Sequence, residues 1–176
     1  MKAIHPLIAA GLFATLVADE DNARIDYPAF RDLTAEVEAY RRDRRVDEAE
    51  FLRLASEEGT VILDTRSREK FDLRHVKGAV HLNFSDFTSK SLAEVIPDKS
   101  TRILIYCNNN FIGDPASMAM KLAPLALNIP TFIHLYGYGY RNVYELQPDL
   151  PLSGTRIPFE GRFVLPRPVG EDGMAR

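Results

Sequence analysis

Residues 102–107, Arg-Ile-Leu-Ile-Tyr-Cys, constrain the fold more than any other stretch of the chain. Four apolar or aromatic side chains follow one another without polar alternation, which describes a strand covered on both faces. Asn108, Asn109 and Asn110 come next and cannot continue a buried strand. A strand buried on both faces needs helices above and below it. The rest of the chain alternates short apolar runs with helical segments, so the expected class is α/β, a parallel sheet flanked by helices on both faces. Ligands of such sheets bind beyond the carboxyl ends of the strands. Cys107 sits at such an end, which weighs against a merely buried, inert cysteine.

The elements follow from local signals. Residues 27–45 read as a helix opened by Pro28, with Phe30, Leu33, Val37 and Tyr40 near helical spacing. A second helix fits 47–57, where Asp47 caps and Glu50 stands three residues on. Residues 60–63 and 79–82 read as short strands, Ser67 caps a short helix, and 85–96 is helical or turn-like. Asp114-Pro115 has the chemistry of a helix start, a capping Asp before a first-turn Pro. Pro124 ends or kinks that helix. Pro130 opens another helix through Tyr136, and 142–146 is a final strand. Residues 147–168 are proline-rich and irregular, with Phe159 and Phe163 as expected anchors, and the last few residues read as a loose tail.

The 176 residues, 45% apolar, suffice for one core and hardly for two. The expected organisation is a signal peptide at 1–18, an N-terminal helical extension at 19–46, the main domain at 47–148, and an irregular C-terminal extension at 149–176. A formal net charge of -3 gives no basic field for nucleic acid. The run at 41–45, with four arginines, reads as a solvated helix end among Glu36, Glu38, Asp43, Asp47 and Glu48. Lys2 precedes an uncharged apolar stretch at 7–18, too short to span a bilayer but suited to a signal-peptide core. The reading is therefore a periplasmic or secreted protein with no stable membrane span after cleavage. Its single cysteine excludes an internal disulfide framework.

A strand, a cysteine, a loop and a helix in succession have a chemical use. The thiolate is the nucleophile, and a free thiol near pKa 8.5 is only a few per cent ionised at neutral pH. Backbone N–H groups of a curled loop and the positive end of the next helix stabilise a thiolate, a persulfide or a bound oxyanion alike.

Four segments in this order resemble the rhodanese-like domain family. They are Val61-Ile62-Leu63-Asp64-Thr65-Arg66, the stretch from Phe71 through His75 to Gly78-Ala79, the strand entering Cys107, and Gly139-Tyr140-Arg141-Asn142-Val143-Tyr144-Glu145-Leu146. The resemblance spans residues 47–148. It implies a sulfurtransferase, in which Cys107 accepts sulfane sulfur as a persulfide and passes it to a thiol. Asn108, Asn109, Asn110, Phe111, Ile112 and Gly113 would form the substrate-binding loop. Asp64, Arg66, His75 and Asp114 would support the site. Partners would be a small sulfur-containing anion, a thiol acceptor or a redox protein, with no cofactor and no metal.

The loop departs from the family pattern, which places an Arg or Lys there; residues 108–113 hold no cation, and Asp114 follows. A carboxylate about 6 Å from the sulfur would cost roughly 3 kcal/mol at an effective dielectric near 20. That corresponds to about two pKa units. The stretch between Cys107 and Gly139 is also longer than the family pattern, and reads as an extra helical turn or short helix. It would either lid the pocket or pack on the sheet through Met118, Leu122, Leu125 and Ile129. Gly113 stands where a Cys-x5-Arg phosphatase would need its arginine, so the bidentate phosphate anchor is missing. His75, His81 and His134 do not pair at helical metal spacing. The aromatics Phe132, Tyr136, Tyr138, Tyr140 and Tyr144 fit core or core rim better than a ligand stack. Two readings stay open: a sulfurtransferase, and a module that binds an anion or a persulfidated or redox partner without turnover.

Overall fold

A computed structural model describes residues 24–163 of the chain. The expected signal peptide and the terminal tail lie outside the described residues. Among the described residues five helices form: α1 (Tyr27–Tyr40), α2 (Glu48–Ala55), α3 (Arg68–Leu73), α4 (Ser89–Val95) and α5 (Asn128–Gly137). The strands are β1 (Arg45–Val46), β2 (Val61–Asp64), β3 (His75–Val76), β4 (Val80–His81), β5 (Ile103–Tyr106), β6 (Phe111–Ile112), β7 (Val143–Leu146), β8 (Leu150–Pro151) and β9 (Phe159–Glu160).

The central sheet runs β1-β7-β5-β2-β4, with every pairing parallel. Strand β5 lies in the middle and all four of its residues are buried. One face packs Ile103, Ile105 and Val143 against Val37 of α1, Leu92 of α4 and Phe132 and Ile133 of α5. The other packs Leu104 and Tyr106 against Phe51 and Leu54 of α2, with Phe111 and Ile157. This is the α/β layering that the apolar, non-alternating strands require.

Most caps match their sequence signals. The Asp26 side chain accepts from Ala29 N–H, Asp47 from Glu50 N–H, and Ser67 from Lys70 N–H. The first helix ends earlier than expected. Residues 41–44 tighten into a 3-10 turn, and Arg45–Val46 pairs with β7 as the sheet's edge strand. Local propensity favours a helix through these arginines, but burial of Val46 and the ladder to β7 override it.

The expected helix from Pro115 does not form. The Asp114 carboxylate does accept from Ser117 N–H at 3.2 Å, as a cap would, but only a turn follows. Residues 113–127 run without regular structure except a 3-10 turn at Ala123–Leu125. Met118 is buried, whereas Leu122 and Leu125 are 74% and 66% exposed, so this segment does not pack on the sheet as a helix would. At the C-terminal side, Phe159 meets Phe111 edge-on with ring centroids 5.0 Å apart, as an anchor should. Phe163 is exposed and is not an anchor. Phe132, Tyr136 and Tyr140 are core residues.

Candidate functional site

Strand β5 delivers Cys107 to the carboxyl end of the sheet, and the chain then turns sharply. Asn108–Asn110 forms a 3-10 turn, closed by Asn110 N–H donating to the Cys107 carbonyl at 3.1 Å. Backbone N–H groups of Asn128, Asn109 and Leu127 face the Cys107 sulfur closely enough to favour its thiolate. Two of these three belong to the start of α5. The positive helix end expected from residues 114–115 is therefore supplied by α5, twenty residues beyond Cys107. Signals at Asp114-Pro115 pointed to the nearest helix start in sequence; folding chose the nearest in space.

Cys107 is 1% exposed. Burial pushes its thiol above the ordinary cysteine value, the three N–H groups oppose this, and the Glu145 carboxylate adds to the rise. Burial thus disfavours the Cys107 thiolate, while the surrounding N–H groups favour it.

The side chains of the three loop asparagines are hydrogen-bonded within the protein. Asn110 Oδ1 accepts from Cys107 N–H at 2.9 Å and from Asn128 Nδ2 at 3.0 Å, while its Nδ2 donates to the carbonyls of Leu146 and Pro148. Asn108 Nδ2 donates to Ala119 O at 2.7 Å. Asn109 exchanges two bonds with Lys121, Nδ2 to carbonyl at 2.8 Å and Lys121 N–H to Oδ1 at 2.9 Å. The side chains of Asn108 and Asn109 thus fasten the 113–127 segment over the loop. Phe111 points into the core and Ile112 pairs with Pro151 in β8. Gly113 adopts φ +111, a conformation that favours glycine.

Asp114 is paired with a cation. Arg74 Nε lies 3.0 Å from Oδ2, and Ser117 Oγ donates to the same oxygen at 2.6 Å. Partial burial would raise its carboxyl, but Ser117 and Arg74 prevail and hold it below the usual range. Asp64 and Arg66 form a fully buried pair, Nη2 to Oδ2 at 2.6 Å, and Tyr106 Oη donates to that same oxygen at 2.5 Å. Arg66 also donates to the carbonyls of Ser117 and Arg74. His75 stacks on Phe71 with ring centroids 3.7 Å apart, and its Nδ1 meets the Phe71 carbonyl. Its partners belong to α3 and β9, none of them to the Cys107 cradle.

Three contributors escaped sequence reasoning. Asn128 and Leu127 carry no signature beyond their place before Pro130. Glu145 carried one: a carboxylate inside the run Val143-Tyr144-Glu145-Leu146 of a buried strand. Arg41, in a run read as solvated, is the partner of Glu145. Among the described residues, no cluster of three or more His, Cys, Asp or Glu could hold a metal, and no helix is long and apolar enough to cross a membrane.

The family model for the rhodanese-like domain matches residues 47–147. No curated protein matches the chain. Among solved structures, the chain is similar to the rhodanese-like domain of an Anabaena protein, solved by NMR, with 24% identity over 76% of this chain and 90% of that one, TM-score 0.47. A Bacillus halodurans protein shares 16% identity over 77% and 85%, TM-score 0.46. A rhodanese with anions from E. coli shares 20% identity over 58% and 98%, TM-score 0.39.

Proposed function

The chain belongs to the rhodanese-like domain family, and from that premise we propose that it transfers sulfane sulfur through a persulfide on Cys107. The observation that carries the reading is the place of Cys107, directly after the central strand and before the tight Asn108–Asn110 turn, where backbone N–H groups of Asn109, Leu127 and Asn128 favour its thiolate. Donors so arranged favour the thiolate that attacks and the persulfide anion that results.

In the reaction, the Cys107 thiolate attacks the outer sulfur of a donor such as thiosulfate. A sulfur–sulfur bond forms to Cys107, the donor's own sulfur–sulfur bond breaks, and sulfite leaves with the electron pair. An acceptor thiolate then attacks the outer sulfur of the persulfide and regenerates the Cys107 thiolate. With Cys107 1% exposed, a donor reaches it after the 113–127 segment lifts, which means releasing the bonds from Asn108 and Asn109.

The test is intact mass after incubation with thiosulfate, beside Cys107→Ser. A one-sulfur gain on the wild type alone, removed by cyanide or a thiol, supports the transfer. A folded protein with a titratable thiol and no adduct at any pH rejects it. That result would favour the second reading, a binding module, which the buried thiol and the cation-free loop motivate.

We also propose export to the periplasm or beyond, with residues 1–18 as the signal, on the strength of the apolar stretch 7–18 after Lys2. The proposed acceptor is a small thiol or a redox protein. N-terminal sequencing of the exported protein checks the first point; a start at Met1 rejects cleavage.

A further inference from the structure

Glu145 is a carboxylate, 2% exposed, on the strand next to the one that carries Cys107. It lies in register with Ile105, and Cys107 stands two residues beyond Ile105. Side chains two apart on a strand share a face, so Glu145 and Cys107 project to the same side of the sheet. The offset, two residues along and one strand across, is roughly 8 Å between Cα atoms. Such a charge, dry and beside the nucleophile, opposes formation of a thiolate.

The Glu145 carboxylate is met by two cations from upstream of the family match. Arg41 donates from Nη2 to Oε1, and Arg45 Nε lies 3.2 Å from the same oxygen. Arg45 is in register with Glu145 across the β1–β7 pair, so it flanks the carboxylate on the side away from Ile105. Arg41 comes from the turn after α1 and also lines a groove of about 270 Å³ between α1 and α5, with Glu38, Ile129 and Ile133. Burial pushes the Glu145 carboxyl upward, and the two arginines oppose that rise. The second oxygen, Oε2, is buried and has no protein partner.

We propose that Arg41 and Arg45 are positioning residues for Cys107 that act through Glu145, supplying from the N-terminal extension the positive charge that the active loop lacks. With both arginines present, the group beside the sulfur carries a net charge of one plus; without Arg41 it carries none. The N-terminal extension is then part of the catalytic electrostatics and not only a cover for the sheet. The charged groups facing this cluster are Arg41 and Glu38 from the α1 side, Arg45 from β1, and Cys107 itself from β5. The proposal deepens the sulfur-transfer reading, since it says how the Cys107 thiolate is made accessible in pH.

The single cysteine makes a direct test possible. The chain, selectively labelled with 13C at the cysteine Cβ, is titrated by NMR, with no sulfur donor present. Removing the negative charge in Glu145→Gln is expected to lower the thiol midpoint by about 0.5 on the pH scale or more. Arg41→Gln is expected to raise it by a similar amount, Arg41→Lys to leave it near wild type, and the double variant Arg41→Gln/Glu145→Gln to return toward wild type. Circular dichroism shows that each variant is folded, and the near-isosteric Glu145→Gln keeps the test alive if Arg41→Gln does not fold. A midpoint that fails to move in the stated direction in a folded single variant overturns the proposal. Because the readout is ionisation, failure of thiosulfate turnover leaves this result standing, and the converse also holds.

Discussion

Arg66 reaches from the end of β2 to the carbonyl of Ser117, 3.0 Å away and 51 residues along the chain. The same guanidinium is held by Asp64, and Asp64 in turn accepts from Tyr106, the residue before the candidate nucleophile. The Asp-x-Arg signature thus works as a bracket. It ties the central strand to the long segment that covers the active loop.

Breaking this bracket is expected to be costly. Asp64→Asn leaves Arg66 buried without its counter-ion and should lower the unfolding free energy by about 3–5 kcal/mol. Urea denaturation measures this. A loss under about 1 kcal/mol would mean that water or another group replaces the carboxylate.

Asn110 makes four hydrogen bonds from a buried side chain, two to the Cys107 cradle and two to the strand end at Leu146 and Pro148. Asn110→Ala strands several buried partners, at 1–3 kcal/mol each when left unsatisfied, so the expected loss is on the order of 3 kcal/mol. Thermal unfolding checks the loss, and persulfide formation in the same variant should fall with it.

The bonds from Asn108 and Asn109 should control how often Cys107 opens to solvent. Asn109→Ala removes a reciprocal pair to Lys121. At about 1 kcal/mol for each of the two hydrogen bonds, local opening becomes roughly thirtyfold more frequent. The iodoacetamide rate at fixed pH reads this directly. An unchanged rate would show that Cys107 is reached by another route.

Stability should fall with rising pH through Cys107. Burial raises its thiol pKa in the folded state above the unfolded value of about 8.5. The folded protein therefore holds a proton that the unfolded chain releases first. The associated stability is complete below the unfolded pKa and is lost as pH rises through the folded one. Urea unfolding of wild type minus Cys107→Ser, followed from pH 7 to 10, should decline; a flat difference would show that the thiol pKa is the same in both states.

Gly161 anchors the C-terminal extension. It adopts φ +123, and a Cβ there would stand 2.6 Å from the Leu73 carbonyl oxygen. Gly161→Ala should release the β3–β9 pair and lower stability by about 1–3 kcal/mol, from strain and overpacking together. Limited proteolysis should then cut between residues 152 and 163 first; an unchanged pattern would show that the strand tolerates the shift.

The sequence by itself determined the layering. Apolar strands without alternation, capped helices at Asp47 and Ser67, and the position of Cys107 at a strand end were enough for a covered parallel sheet with a thiol at its carboxyl edge. Those are local properties, set by neighbours within a few residues. Tertiary structure decided which helix end serves the sulfur, because Leu127 and Asn128 arrive from twenty residues away once the intervening segment loops out. It decided that Asn108 and Asn109 bind Ala119 and Lys121. It also decided that Arg41 is partly buried in an ion pair, since its partner Glu145 is more than a hundred residues distant in sequence. A charge run is read by its neighbours in the chain, but its energy is set by its neighbours in space, and a single carboxylate in a buried strand was the one local sign that a distant cation was required.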